Sequence, residues 1–132
     1  MNYRRKLYFY KDIYDSEGSN QLFLNAVKEN ISYHRKHNKE YRAILKKMNF
    51  RMSDLNTHND LYKIPFLPTL YLKKNKIASV KDFKMLIKAT SSGTTGKRSE
   101  IGFDLNSLFY AAVMAIKMCK YHKLLSLRRT NY

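Results

Sequence analysis

The chain has 132 residues, room for one domain with a modest core, and sets 26 lysines and arginines against 10 aspartates and glutamates for a net charge of +16. Eleven tyrosines, seven phenylalanines and a 44% hydrophobic share argue for a globular and not a disordered chain. The single cysteine, Cys119, excludes an internal disulfide framework and a cysteine-rich metal centre.

A basic excess of this size invites a polyanionic partner. Yet thirteen basic residues fall in 1–66 and thirteen in 67–132, with no basic tail and no stripe beyond "YHRKHNK" and "LYLKKNK". Nucleic acid is therefore the weaker expectation, and a non-catalytic basic module for a polyanion stands as the alternative reading. The apolar run Leu7 to Tyr10 is too short for a signal peptide, and Phe109 to Ile116 falls well short of the roughly 20 residues that span a bilayer. A cytoplasmic protein without a membrane span is the expectation.

Residues 1–50 read as mainly helical. An aromatic segment, 1–18, ends in the turn-like "DSEGSN", after which Ser19 or Asn20 caps a helix with Leu22, Ala26, Val27 and Ile31 at the 3.6-residue period. "KEYRAILKKMN" gives a second helix with Tyr41, Ile44, Leu45 and Met48 on one face, so the two form a helical hairpin. The tyrosines at the start, Tyr3, Tyr8, Tyr10 and Tyr14, are expected to pack on the domain and not on bases. His34 and His37 are spaced for one helix face, but with no third ligand in sequence they read as a solvated basic face.

Residues 51–78 read as an extended connection. Pro65 and Pro68 each remove a donor and bias the preceding residue toward extended backbone, so Ile64 to Leu70 is expected to be buried, extended and not helical. From 79 to 132 the pattern is strand, loop, strand, helix. Phe83 to Ala89 supplies the first strand, with a short helix possible at its start, and "SEIGFD" returns. Asp104 or Asn106 then caps "LNSLFYAAVMAIKMCKYHKLL", apolar nearly all round from Phe109 to Met118 and so expected to lie between layers. Cys119, on that helix, reads as a small hydrophobe. The fold class is α/β: a helical hairpin followed by a strand-loop-strand-helix unit, a single incomplete domain over 1–132. The ending "SLRRTNY" has neither cap nor polar tail and reads as a cut.

The loop "SSGTTGK", Ser91 to Lys97, has the parts that hold phosphate: backbone donors freed by two glycines, four hydroxyls, and cations at Lys97 and Arg98. A P-loop would need glycine at 91 and Ser or Thr at 98, where Ser91 and Arg98 stand, and a helix where a strand follows. Spacing alone thus leaves a generic anion-binding turn.

"TSSGTTGKRSEIGFD" followed by a helix resembles the phosphate loop of AMP-forming adenylating enzymes, T-S-G-T-T-G-x-P-K. The double serine and the upstream "IPFLP" resemble the acyl-protein synthetase branch, the fatty-acid ligase of the bacterial luminescence type, related to phenylacetate-CoA ligases. The resemblance covers roughly 20–132 and implies a partial piece of the large N-terminal domain of an AMP-forming ligase. It implies ATP with magnesium, a long-chain fatty acid activated as acyl-adenylate and passed to a protein thiol, and Ser91, Ser92, Gly93, Thr94, Thr95, Gly96 and Lys97 as the phosphate grip. The metal ligand is not in this chain, and catalytic residues are not assigned. Nucleotide, the remainder of the ligase or an acyl-carrying protein are the implied partners. The signature's proline and lysine are Arg98 and Ser99 here, so no role of that lysine is carried over, while the resemblance to the phenylacetate-type branch, which takes Ser or Thr at that place, stands. The family's adenine and magnesium motifs, its lid lysine and its acyl-accepting cysteine lie downstream and have no counterpart, so whether the chain is itself an enzyme stays open and inactivity alone is expected.

Overall fold

The computed structural model describes residues 2–75, 77–91, 98 and 100–124. Helices α1 (Tyr3–Tyr8), α2 (Ser16–His37) and α3 (Lys39–Lys47) lie in the first 50 residues; α2 and α3 are the helical hairpin that the sequence predicts, and α1 falls in the segment read only as aromatic. The start of α2 differs. Asp15 is the cap, its Oδ1 accepting from the Gly18 N–H at 2.8 Å, while Oδ2 accepts from the Tyr10 hydroxyl at 2.9 Å. Ser19 and Asn20 lie inside the helix, and a β-carbon at Gly18 would collide with the Asp15 carboxylate, so the glycine that looks like a turn signal is what admits the cap.

One residue joins α2 to α3. Asn38 closes α2 through its N–H, which donates to the His34 carbonyl at 2.8 Å, and opens α3 through Oδ1, which accepts from the Tyr41 N–H at 2.9 Å. It is buried, 5% exposed. At the far end of α3, Asn49 takes a left-handed conformation (φ 52°), Phe50 N–H donates to the Leu45 carbonyl and Asn49 N–H to that of Lys46. This Schellman closure drops Phe50 onto Leu45. Leu24, Ile31, Leu45 and Leu55 form the core, with Val27, Tyr41, Met52, Leu61 and Ile64 packed against it. Met48, expected on the apolar face, is 57% exposed.

The connection 51–78 is more ordered than an extended linker. Two 3-10 turns, Met52–Asp54 and His58–Lys63, precede the proline segment, and helix α4 (Thr69–Lys74) follows it. Extended backbone is found at Ile64 and Pro68, but Leu70 is helical, and Phe66 at 81% exposed is not buried. Pro68 explains the shift: its ring pre-sets φ at −59° and its carbonyl accepts from the N–H groups of Tyr71 and Leu72, so a proline read as a breaker starts a helix.

A 3-10 turn, Asp82–Lys84, leads into β1 (Met85–Thr90), which pairs antiparallel with β2 (Glu100–Asp104), and α5 (Leu105–Tyr121) follows at once. The strand-loop-strand-helix unit is as expected. The burial of α5 is not: none of its residues is buried, and Phe109 is 54% exposed. Its apolar pattern expresses what the helix would bury under a second layer. Its main packing partners among the described residues are β2 and the α1 segment. The early tyrosines do pack on the domain: Tyr8 stacks on Tyr110 at 4.4 Å between ring centres, Tyr14 meets Tyr121 at 4.4 Å, and the Lys117 ammonium donates to the carbonyls of Tyr8 and Tyr10.

Candidate phosphate-loop hairpin

Of the predicted grip, Ser91 is described, exposed at the end of β1. Ser92, Gly93, Thr94, Thr95, Gly96 and Lys97 lie outside the described residues. What is on view is the frame that carries them. The register pairs Thr90 with Glu100, Ala89 with Ile101 and Lys88 with Gly102, so the two ends of the loop leave neighbouring strands. An irregularity between Met85 and Ile87 lets Met85 lie across Gly102, where a β-carbon would collide with the Met85 thioether.

The end of β2 is fixed by a cap. Asp104 Oδ1 accepts from the Ser107 N–H at 2.8 Å and from its hydroxyl at 2.6 Å, starting α5 without an intervening turn. The Ser107 hydroxyl and N–H bonds hold the Asp104 carboxyl below its ordinary range.

Beside the hairpin lies a cleft of about 680 Å³. Met85, Lys88, Glu100 and Gly102 of the strands line one wall, with Arg98 from the loop's far end. The other wall comes from Leu72 and Lys74 of α4, the stretch Ile77–Val80, and His34 of α2. Apolar walls carrying Lys88, Lys74 and Arg98 suit an anion with an apolar or aromatic part. Tyr71 anchors the α4 wall by donating its hydroxyl to Glu40 Oε1 at 2.6 Å, a bond that also raises the phenol's pKa.

His34 was missed by the sequence reading, which left it on a solvated face. Its Nδ1 shares a 2.7 Å hydrogen bond with Ser79 Oγ, tying α2 to the approach to β1. Burial, then the charges of Arg4 and His37, push its pKa down, so the ring is neutral near pH 7. No periodicity signals this contact, because Ser79 is 45 residues away. His37 turns elsewhere, bonding the Tyr33 carbonyl through Nδ1 at 2.8 Å. Among the described residues, no three His, Cys, Asp or Glu side chains converge as metal ligands, and no helix is long and apolar enough to cross a membrane.

The protein-family model for acyl-protein synthetase, LuxE, matches residues 12–122. The chain belongs to the LuxE acyl-protein synthetase family. No curated protein and no solved structure matches it. The LuxE match takes in the α2–α3 hairpin, the proline segment, the whole β1–loop–β2 unit and α5, so the "SSGTTGK" loop and its frame fall within the family region. Membership implies acyl-protein synthetase chemistry, in a family that generally uses ATP.

Proposed function

We propose that this chain supplies the ATP-phosphate grip of a ligase that activates a long-chain fatty acid as its adenylate and passes it to a protein thiol. The observation that carries the reading is the LuxE match running through an antiparallel hairpin whose connecting loop is "SSGTTGK". In this reading Ser91 to Lys97 offer backbone N–H groups and hydroxyls to the phosphates. Arg98 and Lys88, both lining the adjacent cleft, balance the charge that develops as the carboxylate attacks the α-phosphate. ATP supplies the leaving pyrophosphate, and magnesium enters as the nucleotide's counter-ion. A cleft with cations at the mouth of the loop and apolar walls behind it fits a nucleotide in size and character.

Adenylation requires charge stabilisation on both sides of the α-phosphate. The groups that supply the second side in the resembling enzymes have no counterpart in this sequence. The 132-residue chain alone is therefore expected to bind ATP without accumulating acyl-adenylate. Titration with a fluorescent ATP analogue tests the grip. Thr94→Ala combined with Gly96→Ala should weaken binding at least about tenfold while the far-UV spectrum is unchanged. Equal affinity in the variant removes the loop from the reading. Steeply salt-dependent binding of duplex DNA, with no nucleotide binding, would favour the polyanion module instead.

A further inference from the structure

His34 stands on the α2 side of the cleft with one ring nitrogen occupied and the other open. Nδ1 shares its bond with Ser79 Oγ, and Tyr33 and Tyr41 meet the ring nearly perpendicular, at 5.4 and 6.1 Å between centres, so its orientation is set from three sides. Among the described residues nothing bonds Nε2, and no buried side-chain nitrogen or oxygen lacks a partner, so Nε2 is accessible. A tie between α2 and the approach to β1 needs only Nδ1. The serine hydroxyl can donate or accept, so the same bond holds for the neutral ring with its proton on Nε2 and for the imidazolium. In both states Nε2 carries a hydrogen that a ligand oxygen can accept.

We propose, on the nucleotide reading of this cleft, that His34 is a ligand-contacting specificity residue, oriented by Ser79, whose Nε2–H donates to a phosphate oxygen of the bound nucleotide. Charge selects an anionic acceptor: Lys73, Lys74, Lys88 and Arg98 line the same cleft with one carboxylate, Glu100. A phosphate brings to that field a charge that the imidazole also meets, which a neutral ligand does not. The groups around the ring fix the sign of a pH dependence. Arg4 of α1 and His37 of α2 face it with positive or potentially positive charge, Tyr33 and Tyr41 as neutral phenols, and Ser79 without charge, while the four cations of the cleft outnumber Glu100. Burial and Arg4 keep the proton off the ring in the free protein. A bound phosphate opposes both effects and raises the ring's pKa, so binding takes up part of a proton. Affinity is then flat above the bound-state pKa, rises as pH falls through it, and levels off below the free-state pKa.

The test measures binding of a fluorescent ATP analogue to the full chain from about pH 8 to about pH 6, for wild type and His34→Gln, so that titration of the analogue itself cancels in the ratio. Wild-type affinity should gain about three- to tenfold over the variant across that range, since one proton allows at most about tenfold per pH unit. Proton NMR of the His34 ring, assigned by the signal that His34→Gln removes, should show its pKa rise by about 0.5–1 when the analogue is bound. Ser79→Ala should lower affinity and shrink the pH gain, and Ser79→Thr, which keeps the hydroxyl, should restore both. His58→Gln, at an exposed histidine on the core side, should keep the wild-type profile. Equal pH profiles of wild type and His34→Gln, or a ring pKa that the analogue leaves unmoved, would overturn the role of His34 while leaving the nucleotide reading in place. Losses in His34→Gln and Ser79→Ala that are the same at every pH would reduce the pair to a structural tie and overturn that role as well. No binding by the wild-type chain at any pH would overturn the nucleotide reading, and the role of His34 with it.

Discussion

Leu55→Ala measures how much of the fold rests on the small core. Leu55 is fully buried and lies in the cluster with Leu24, Ile31 and Leu45, edged by Phe50, Met52 and Leu61. Truncation removes roughly three carbons of buried apolar surface, about 2.5 kcal/mol at ~0.8 kcal/mol per methylene, and adds a cavity term. Phe50 and Met52 are only partly buried and can lean into the space, so the expected loss is about 3 kcal/mol, in the lower half of the usual range. Among the described residues the core has five buried apolar residues, Leu24, Ala26, Ile31, Leu45 and Leu55, which places total stability near the low end of about 5 kcal/mol. In urea, followed by far-UV circular dichroism, the midpoint should fall by about 1.5–2 M for a slope of roughly 1.5–2 kcal/mol/M. Leu70→Ala, at 62% exposure, should cost under about 0.5 kcal/mol. A loss below about 1 kcal/mol for Leu55→Ala, or equal losses for the two variants, would refute the placement of the core.

Asn38→Ala should cost about 1–2 kcal/mol, since it strips the α3 cap and leaves the Tyr41 N–H without its partner, whereas Asn38→Asp, which keeps an acceptor, should cost less; the same urea series reads both. Lys123 holds a left-handed conformation (φ 55°) where α5 closes, so Lys123→Gly should raise stability by about 0.5–1 kcal/mol, and a loss would argue against that closure. His34 has a pKa pushed below 6.5 by burial, so the unfolded chain takes up the proton first; its contribution is intact above pH 6.5 and is lost as pH falls through the folded-state pKa. His34→Gln should flatten that limb of a stability-versus-pH profile. Asp60, held below its ordinary 3.8 first by the Lys63 ammonium and then by the N–H groups of Thr57 and Asn56, gives a separate limb: its contribution is present above pH 3.8 and fades as pH falls further, and Asp60→Asn should remove it.

Local chemistry made much of the fold legible. Asp104 before "LNSL" is a cap whose side chain bonds the Ser107 N–H, and α5 begins where that residue predicts. The hairpin follows from two short apolar runs around a glycine- and hydroxyl-rich loop. Two local signals pointed the wrong way because one residue type serves opposite ends of a helix. Gly18 reads as a breaker but sits in the first turn of α2, and Pro68 reads as a terminator but precedes α4. The His34–Ser79 bond and the exposure of α5 were not legible at all, since each depends on which distant segment lies alongside. For the candidate site, the loop was found by composition and by resemblance. The cleft beside it, assembled from α2, α4 and the hairpin, required the tertiary fold.

The separation between core and loop bears on how the proposed grip would work. Among the described residues every buried apolar one lies between Leu24 and Leu55, while the hairpin that carries the loop is exposed along nearly all of β1. The hairpin is tied to the core half by side chains more than by packing: His34 to Ser79 at its approach, and on the other side α5 to the α1 segment through Tyr8, Tyr110 and Lys117. Such a frame opens locally at less free energy than the helices do. A ligand that gripped the loop would supply order that the core does not, so its binding free energy would include the cost of ordering the hairpin.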